Sequence, residues 1–489
     1  MDLGFQVLTA FRWVAGAKFL SQLITWGATI AVVRLLTPED YGLMAMATIF
    51  TSFLTMFNEF GLGAALVQKP DVDDLTLRGV FGLTVVFNLV CFILLLGTAP
   101  FAAAFFTEPR LAPILRVLSL QFVISPFGVI PQSMLERKLD FKAKSLVDVT
   151  VTVASALITL LLAFRGSGVW ALVWGSLALT LLRTLGLNLA SPIRCRPSFS
   201  WIDLRSVVSF GGMITANRLL WIFYSQADML VIGKFLGKEQ LGIYSMAMQL
   251  ASLPADKANG IINQVAFAAF ARAQSELQQV RTIALTAVRS IAFLAFPVFF
   301  GIALVADELL AVFFGSAWQA AVLPLQLLST VMGLRMISNL LHTAVQGLGR
   351  PDISVFKLTA ASLVMPLAFY FGSVWGGVVG VSLAWVLVYP LAFMLMLWLS
   401  LPVVDVRWME LLGALAGPAV ASAGMCLVVE AMKIAFMEHM APGIRLVSLM
   451  LIGGIVYGGT AAMLFGQGAR ETMNLLRRSV IGGVSTVES

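Results

Sequence analysis

Four polar side chains, Lys18, Gln22, Thr25 and Thr29, recur in an apolar stretch at steps of four, three and four. That spacing sets them on one face of a helix. Arg335, Asn339, His342 and Gln346 fall on a single face in the same way, with Ser338 beside them. Gln249, Ser252, Asp256 and Asn263 share a third face, flanked by Lys257 and Asn259. Arg218 and Ser225 align on a fourth, near Gln226 and Asp228. Arginine offers bidentate charge-assisted hydrogen bonds and lysine a compact point charge, so such stripes suit a phosphate group. A lone cation has a blander reading: Arg116 and Arg183 can each pair with a carboxylate or reach a helix end. Several stripes on separate helices describe instead a hydrated, mostly cationic chamber, with Lys18, Gln22, Arg116, Arg218, Arg335, Asn339 and His342 as its candidate lining. Asp228 and Asp256 either neutralise those cations when the chamber is empty or carry a coupling H⁺ or Na⁺, and the sequence leaves that choice open.

The elements that must position these residues are membrane helices. Of the 489 residues, 59% are hydrophobic and 12% charged, and the mean hydropathy is +0.93. Soluble domains carry roughly a quarter charged residues, so this chain has too little polar surface to coat itself in water. Apolar runs long enough to cross about 30 Å of hydrocarbon number about 14. They fall near 12–36, 41–66, 79–104, 112–134, 145–164 and 168–189, then 207–236, 240–268, 283–305, 320–347, 353–374 and 377–400. A final pair lies near 411–435 and 445–466.

Alternate loops collect the cations. One set holds Lys69 and Arg78, then Arg137, Lys138, Lys142 and Lys144, then Arg194, Arg196 and Arg205. It continues with Arg272 and Arg281, Arg350 and Lys357, and Arg407, and Arg470, Arg477 and Arg478 follow the last span. The other set has scattered cations such as Arg110, Arg165 and Lys238. Positive loops face the cytoplasm, which sets both termini there and requires an even number of spans.

A polar break occurs twice. "RLLTPEDYGL" at Arg34 to Leu43 is matched about 200 residues later by "KFLGKEQLGI" at Lys234 to Ile243. The register pairs Arg34 with Lys234, Glu39 with Glu239 and Gly42 with Gly242; extended without a gap, it pairs Lys18 with Arg218 and Met46 with Met246. A weaker match sets "RKLDF" at Arg137 beside "GRPDI" at Gly349. Matches in this order favour an all-α integral membrane protein of two pseudo-symmetric six-helix lobes of like orientation plus a C-terminal helix pair. The expected boundaries are 1–200, 201–402 and 403–489, with the break as a short extracytoplasmic turn used once per lobe.

Other chemistries find little footing. The chain has no Walker-type Gly-Lys-Ser/Thr loop, zinc signature or nucleophile elbow. Its two histidines, His342 and His439, are too few for a metal cluster or a histidine-based triad. Cys91, Cys195 and Cys426 lie far apart without redox or ligand spacing. The net charge of +7 sits mostly in short loops, which argues against nucleic acid. Arg12 and Lys18 interrupt the first apolar run, which reads as an uncleaved span. A membrane-embedded transferase would need an acidic surface site, and "DVDD" at Asp71 to Asp74 is the available cluster; a solvated loop accounts for it better.

The segment from Ser21 to Asp71, with "RLLTPEDYGL" followed by "GLGAALVQ", resembles bacterial polysaccharide exporters of the Wzx and colanic-acid branch, within the multidrug/oligosaccharidyl-lipid/polysaccharide superfamily. "ADMLVIGKFLGKEQLGIYSMA" resembles the matching second-lobe segment, and "GLGRPDI" a later cytoplasmic loop. The resemblance implies a flippase in the bacterial inner membrane that moves an undecaprenyl-diphosphate-linked oligosaccharide to the outer leaflet, for lipopolysaccharide, exopolysaccharide or capsule. It implies membrane lipids, a polymerase and glycosyltransferases as partners, no cofactor and no enzymatic step. The alternatives are an ion-coupled drug or cation exporter, which calls for an acid-dominated chamber, and a non-transporting membrane scaffold. The expected topology has a direct check. A fluorescent protein fused after Ser489 should fold and fluoresce, whereas alkaline phosphatase fused there should be inactive.

Overall fold

In the computed structural model, residues 21–58, 66, 74–138, 140–193, 195–198, 204–436 and 439–482 are described. They are helical almost throughout, in two compact units, Met1–Ser245 and Met246–Ser489. These units are defined by packing and divide between Ser245 and Met246, whereas the lobe boundary expected at 200/201 comes from the sequence repeat.

The first unit holds α1 (21–35), α2 (Pro38–Asn58), α3 (Asp74–Phe106), α4 (Leu111–Ile124), α5 (Pro126–Arg137), α6 (Phe141–Phe164), α7 (Val169–Ala190), α8 (Leu204–Phe235) and the start of α9 (Gly237–Ala273). The second holds the rest of α9, then α10 (Leu277–Leu304), the short α11 (Ala306–Phe313) and a 3₁₀ turn at Ser316–Ala321. It continues with α12 (Val322–Gly347), α13 (Pro351–Leu387), α14 (Tyr389–Ser400), α15 (Trp408–Phe436) and α16 (Pro442–Gly482).

Among the described residues, eight helices are long and apolar enough to cross a bilayer, or nine when α4 and α5, bent by 43°, are taken as one. One of the eight, Pro351–Ser400, runs 50 residues, about 75 Å at 1.5 Å per residue and far more than one crossing needs. It breaks at Gly376 and Gly377, the latter at φ 56°, a left-handed conformation that costs glycine little. The break falls where two separate spans were expected. The expected segments in α2, α8 and α9 are also helical, with more polar residues than a lipid-facing helix carries.

Packing follows membrane rules. Leu189, Trp375 and Met463 are more than 80% exposed, while Ser329, Ser382, Ser400 and Ser422 are fully buried. Lipid solvates large apolar side chains, and small residues let helix backbones approach.

The repeated break gives the most constrained contact in the first unit. Thr37 caps α2: Asp40 Oδ2 accepts from the Thr37 amide at 3.0 Å and its hydroxyl at 2.9 Å, and the Asp40 amide donates back at 3.3 Å. The second copy turns differently, with Gly237 at φ 83°. The two copies meet at their glycines. A Cβ on Gly42 would collide with the Lys238 carbonyl, and one on Gly242 with the Pro38 carbonyl. Pro38 and Lys238 are themselves repeat partners, so the contact is reciprocal, as around a two-fold axis.

Charged side chains ring this contact. Lys238 Nζ lies 2.9 Å from Glu108 and 3.3 Å from Glu39; Arg110 lies 3.2 Å from Glu108 and 3.8 Å from Glu39. Partial burial pushes the Glu108 carboxyl up, but Lys238 and Arg110 outweigh it and hold it below the usual carboxylate range. The hydrogen bond to Glu108, and then Glu39, holds Lys238 above the usual lysine range. The acid's contribution to stability is complete above its unfolded pKa of about 4.3 and is lost as pH falls through its lowered value. The lysine's is complete below about 10.4 and is lost as pH rises through its raised value.

In the second unit, the C-terminal helix pair is tied down by buried charge. Glu308 on α11 is 0% exposed and lies 3.0 Å from Lys433 and 2.6 Å from Arg445. Arg445 also reaches Asp307 at 3.2 Å, and the Tyr457 hydroxyl donates to the Phe293 carbonyl at 2.7 Å. Removing one partner of a buried ion group strands the others, at about 3–5 kcal/mol. Glu308→Ala is therefore expected to lower the melting temperature of the detergent-purified protein markedly, and Asp307→Ala to lower it much less.

Candidate functional site

The stripe on α12 is where the second unit gathers its polar side chains. Arg335 stacks its guanidinium over the Trp385 ring, 4.5 Å from the centroid, and approaches the sulfurs of Met332 at 3.7 Å and Met248 at 3.9 Å. One turn on, the Ser338 hydroxyl accepts from Lys357 Nζ at 2.6 Å. Asn339 and Thr343 both donate to the Asn263 side-chain carbonyl at 3.0 Å. The His342 and Gln346 side chains close the row at 3.1 Å.

Among the described residues this arrangement has cations and no acid. Among the described residues neither Arg335 nor Lys357 makes an ion pair. Lys357 experiences the positive charge of Arg335, and His342 that of Lys357. Within a bilayer such charge is expensive. The face of Trp385 offers a quadrupole to Arg335, worth about 2 kcal/mol where water is excluded, and Ser338 gives Lys357 one neutral acceptor. Neither cancels a full charge. An arriving anion would do so, and would gain charge-assisted hydrogen bonds of about 1.5–3 kcal/mol each.

The structure thus brings Arg335, Asn339 and His342 together on one helix face. It adds Asn263 from the α9 stripe, and Lys357, Trp385 and Met248, which the sequence reading did not assign to the chamber. Lys357 reads as a loop cation because it follows Arg350 and Pro351 closely; it stands two turns inside α13. Its distance from the proline was the available signal.

The other candidates lie elsewhere. Lys18 falls outside the described residues, and Arg218 is in α8, its side chain likewise outside. Gln22 is half-buried on α1, where Thr25 bonds back to the Ser21 carbonyl at 2.8 Å. Arg116 is exposed on α4. Arg183 takes the bland option, pairing with Asp148 at 3.2 Å. The two carboxylates have different settings. Asp228 is 1% exposed and accepts from the Tyr244 hydroxyl at 2.6 Å and the Met229 amide at 2.7 Å. Asp256 is exposed and accepts from Ser252 at 2.9 Å. Among the described residues no cluster of three or more His, Cys, Asp or Glu side chains is able to hold a metal ion.

The profile of the "Polysaccharide biosynthesis protein" family matches residues 31–323, more than half of the chain. The chain belongs to that family. Among its relatives, the teichuronic acid biosynthesis protein TuaB of Bacillus subtilis is 26% identical over 92% of this chain and 94% of its own length. The lipopolysaccharide biosynthesis protein WzxC of Escherichia coli is 24% identical over 79% of each chain. The succinoglycan biosynthesis transport protein ExoT of Rhizobium meliloti is 24% identical over 90% of each. In fold, the family member matches the lipid II flippase MurJ in an inward closed conformation, with TM-score 0.72 and 14% identity over 93% of this chain and 98% of that one. An inward-facing multidrug resistance MATE transporter matches at TM-score 0.63 and 15% identity over 79% and 94%. The expected all-α transporter architecture is therefore the fold of this chain.

If the family member's stripe binds anions, inorganic pyrophosphate should raise the melting temperature of the purified protein. Lys357→Met relieves repulsion, so it should melt no lower than the parent while binding pyrophosphate at least about 10-fold more weakly.

Proposed function

We propose that this protein is a flippase that carries undecaprenyl-diphosphate-linked oligosaccharide repeat units from the cytoplasmic to the outer leaflet of a bacterial inner membrane. The observation that carries this reading is the basic couple Arg335 and Lys357, without an ion-pair partner among the described residues and set among hydrogen-bonding side chains in membrane helices of a polysaccharide biosynthesis family member. Relatives are named for teichuronic acid, lipopolysaccharide and succinoglycan biosynthesis, and two, from Haloferax volcanii, are named probable flippases.

The physical task fits the parts. Each polar group stripped of water in hydrocarbon without a partner costs about 2–7 kcal/mol, so a diphosphate bearing sugars does not cross unaided. In this reading Arg335 and Lys357 neutralise the diphosphate; Lys18 and Arg218, which the 200-residue register pairs with one another, are further cationic candidates. Asn263, Asn339, His342 and Gln346 offer donors and acceptors to sugar hydroxyls. The lipid tail stays in the bilayer. Alternating access of two repeats, 1–200 and 201–402, with the pair at 403–489 as an addition, exposes the head to each side in turn. No covalent bond forms or breaks. Outward movement of each negative charge gains about 2.3 kcal/mol per 100 mV, inside negative. Polymerase and glycosyltransferases are the expected neighbours, and both termini face the cytoplasm.

An ion-coupled drug exporter is the competing reading, and the absence of an acid partner for Arg335 and Lys357 among the described residues speaks against it. Cells lacking the protein should lose a surface polysaccharide and accumulate lipid-linked repeat units, without becoming drug-sensitive. An Arg335→Met/Lys357→Met variant present at normal membrane levels should fail to restore export. Full restoration by that variant would refute the assignment of the site.

A further inference from the structure

The first turn of α3 and the last turns of α5 and α7 border a cavity of about 310 Å³ that lies wholly within the first unit and shares no residue with the α12 stripe. Before they reach it, α5 and α7 pack closely. A Cβ on Gly128 would come within 3.2 Å of the Thr184 hydroxyl, and Asn188 donates to the Phe127 carbonyl at 2.7 Å. The chain leaving α7 supplies a further wall. It crosses to α3, where the Ser198 amide donates to the Arg78 carbonyl at 2.9 Å and the Ser198 carbonyl leaves no room for a Cβ on Gly82.

The cavity is amphipathic. Leu77, Ile130, Pro131, Met134 and Ile193 line it with hydrocarbon, and Asp74, Lys138, Ser191 and Cys195 with polar groups. The acids around it are engaged. Asp74 meets Arg78 at 2.7 Å, Glu136 meets Lys144 at 2.6 Å, and Asp140 caps α6 by accepting from the Ala143 amide at 3.0 Å. Lys138 is exposed and makes no ion pair among the described residues. The same holds for Lys142, four residues on, and for Arg196, beside Cys195. The balance is positive.

Exposed apolar side chains lead from the cavity along the two helices. On α5, Phe127, Pro131, Met134 and Lys138 recur at steps of four, three and four, so one face runs from hydrocarbon to charge. On α7, Leu181, Leu185 and Leu189 are 45%, 51% and 88% exposed, and Leu189 adjoins Ala190 of the cavity wall. An anionic phospholipid has matching parts in matching order. Its phosphate would gain a charge-assisted hydrogen bond from Lys138, and its acyl chains would cover the exposed leucines. Cavities for small ligands run from about 300 to 1,000 Å³. This one is at the lower end, which suits a glycerol phosphate head and is too small for a diphosphate bearing several sugars.

We propose that this cavity binds the head of an anionic glycerophospholipid of the cytoplasmic leaflet, with the acyl chains lying along α5 and α7. Basic pockets between helices on the cytoplasmic side suit such heads. The loop charges assign the leaflet, and the site does not depend on the flippase reading.

Two measurements on the full-length chain test it. When phosphatidylglycerol and phosphatidylethanolamine are offered together to the detergent-purified protein, native mass spectrometry should show phosphatidylglycerol retained in preference. Lys138→Gln should weaken that retention about tenfold, as loss of a charge-assisted bond does. Ala190→Trp, which keeps every charge and fills the cavity from an exposed position, should weaken it comparably. Arg272→Gln removes an exposed cation from a loop of the same charge set and should change nothing. Absence of the preference, indifference to Lys138→Gln or to Ala190→Trp, or an equal loss in Arg272→Gln each overturns the site.

Cys195 reports occupancy in a bilayer. Burial, and then the Asp74 carboxylate, push its thiol above the usual range, so it is a slow nucleophile whose rate is easily followed. In a Cys91→Ser/Cys426→Ser chain in phosphatidylcholine vesicles, phosphatidylglycerol should slow its alkylation by N-ethylmaleimide several-fold. Lys138→Gln should remove most of that protection. Equal protection by soluble glycerol 3-phosphate would make the ligand a free anion, and stronger protection by undecaprenyl diphosphate would make the cavity a cargo site. Either result, or no protection at all, refutes a phospholipid site.

Discussion

Hydrocarbon cannot donate or accept a hydrogen bond, and the rest of this structure depends on that constraint. Backbone groups must pair within helices. Hydroxyls such as those of Thr84, Thr98 and Thr150 bond back to a carbonyl one turn earlier. Large apolar side chains, including Trp375 and Leu189, face outward because lipid solvates them, and small residues such as Ser329, Ser382 and Ala47 are among those fully buried. Every charge within a span then requires a specific partner or a function. Arg183 has Asp148, and Glu308 has Lys433 and Arg445. Arg335 and Lys357 have an indole face and a hydroxyl.

In the proposed reading that contrast separates structural charge from functional charge more sharply than burial does. Glu308 is more deeply buried than Arg335, yet its two cationic neighbours use up its charge and fasten a helix pair. The α12 stripe is less buried and electrically incomplete. In the proposed reading an anionic headgroup supplies what it lacks, and the same deficit disfavours a cationic cargo.

The repeated turn shows how one sequence pattern serves two ends of a duplication. Thr37 and Gly237 occupy equivalent positions and solve the chain reversal by different means, one by a capping hydroxyl and the other by a left-handed backbone. Gly42 and Gly242 are alike because they touch one another, and neither tolerates a side chain in that contact. Equivalent positions that meet near a symmetry axis are constrained together; those away from it are free to diverge.

Much of this was legible from sequence because lipid imposes one-dimensional rules. Run length sets the helices, cation placement proposes an orientation, and helical spacing drew Arg335, Asn339, His342 and Gln346 into a single row. The 200-residue offset linking Gly42 to Gly242 was visible as a pattern, but not as a contact. Tertiary structure alone decided which charges were already spoken for. Arg183 and Arg335 look alike in the sequence, and only the facing helix reveals that one meets Asp148 and the other Trp385. Lys357 escaped notice for the same reason: closeness in the chain grouped it with Arg350, while packing laid it against Ser338. Spacing along a helix fixes the direction in which a side chain leaves its own axis. What it meets there belongs to another helix, and Coulomb energy depends on that distance through space.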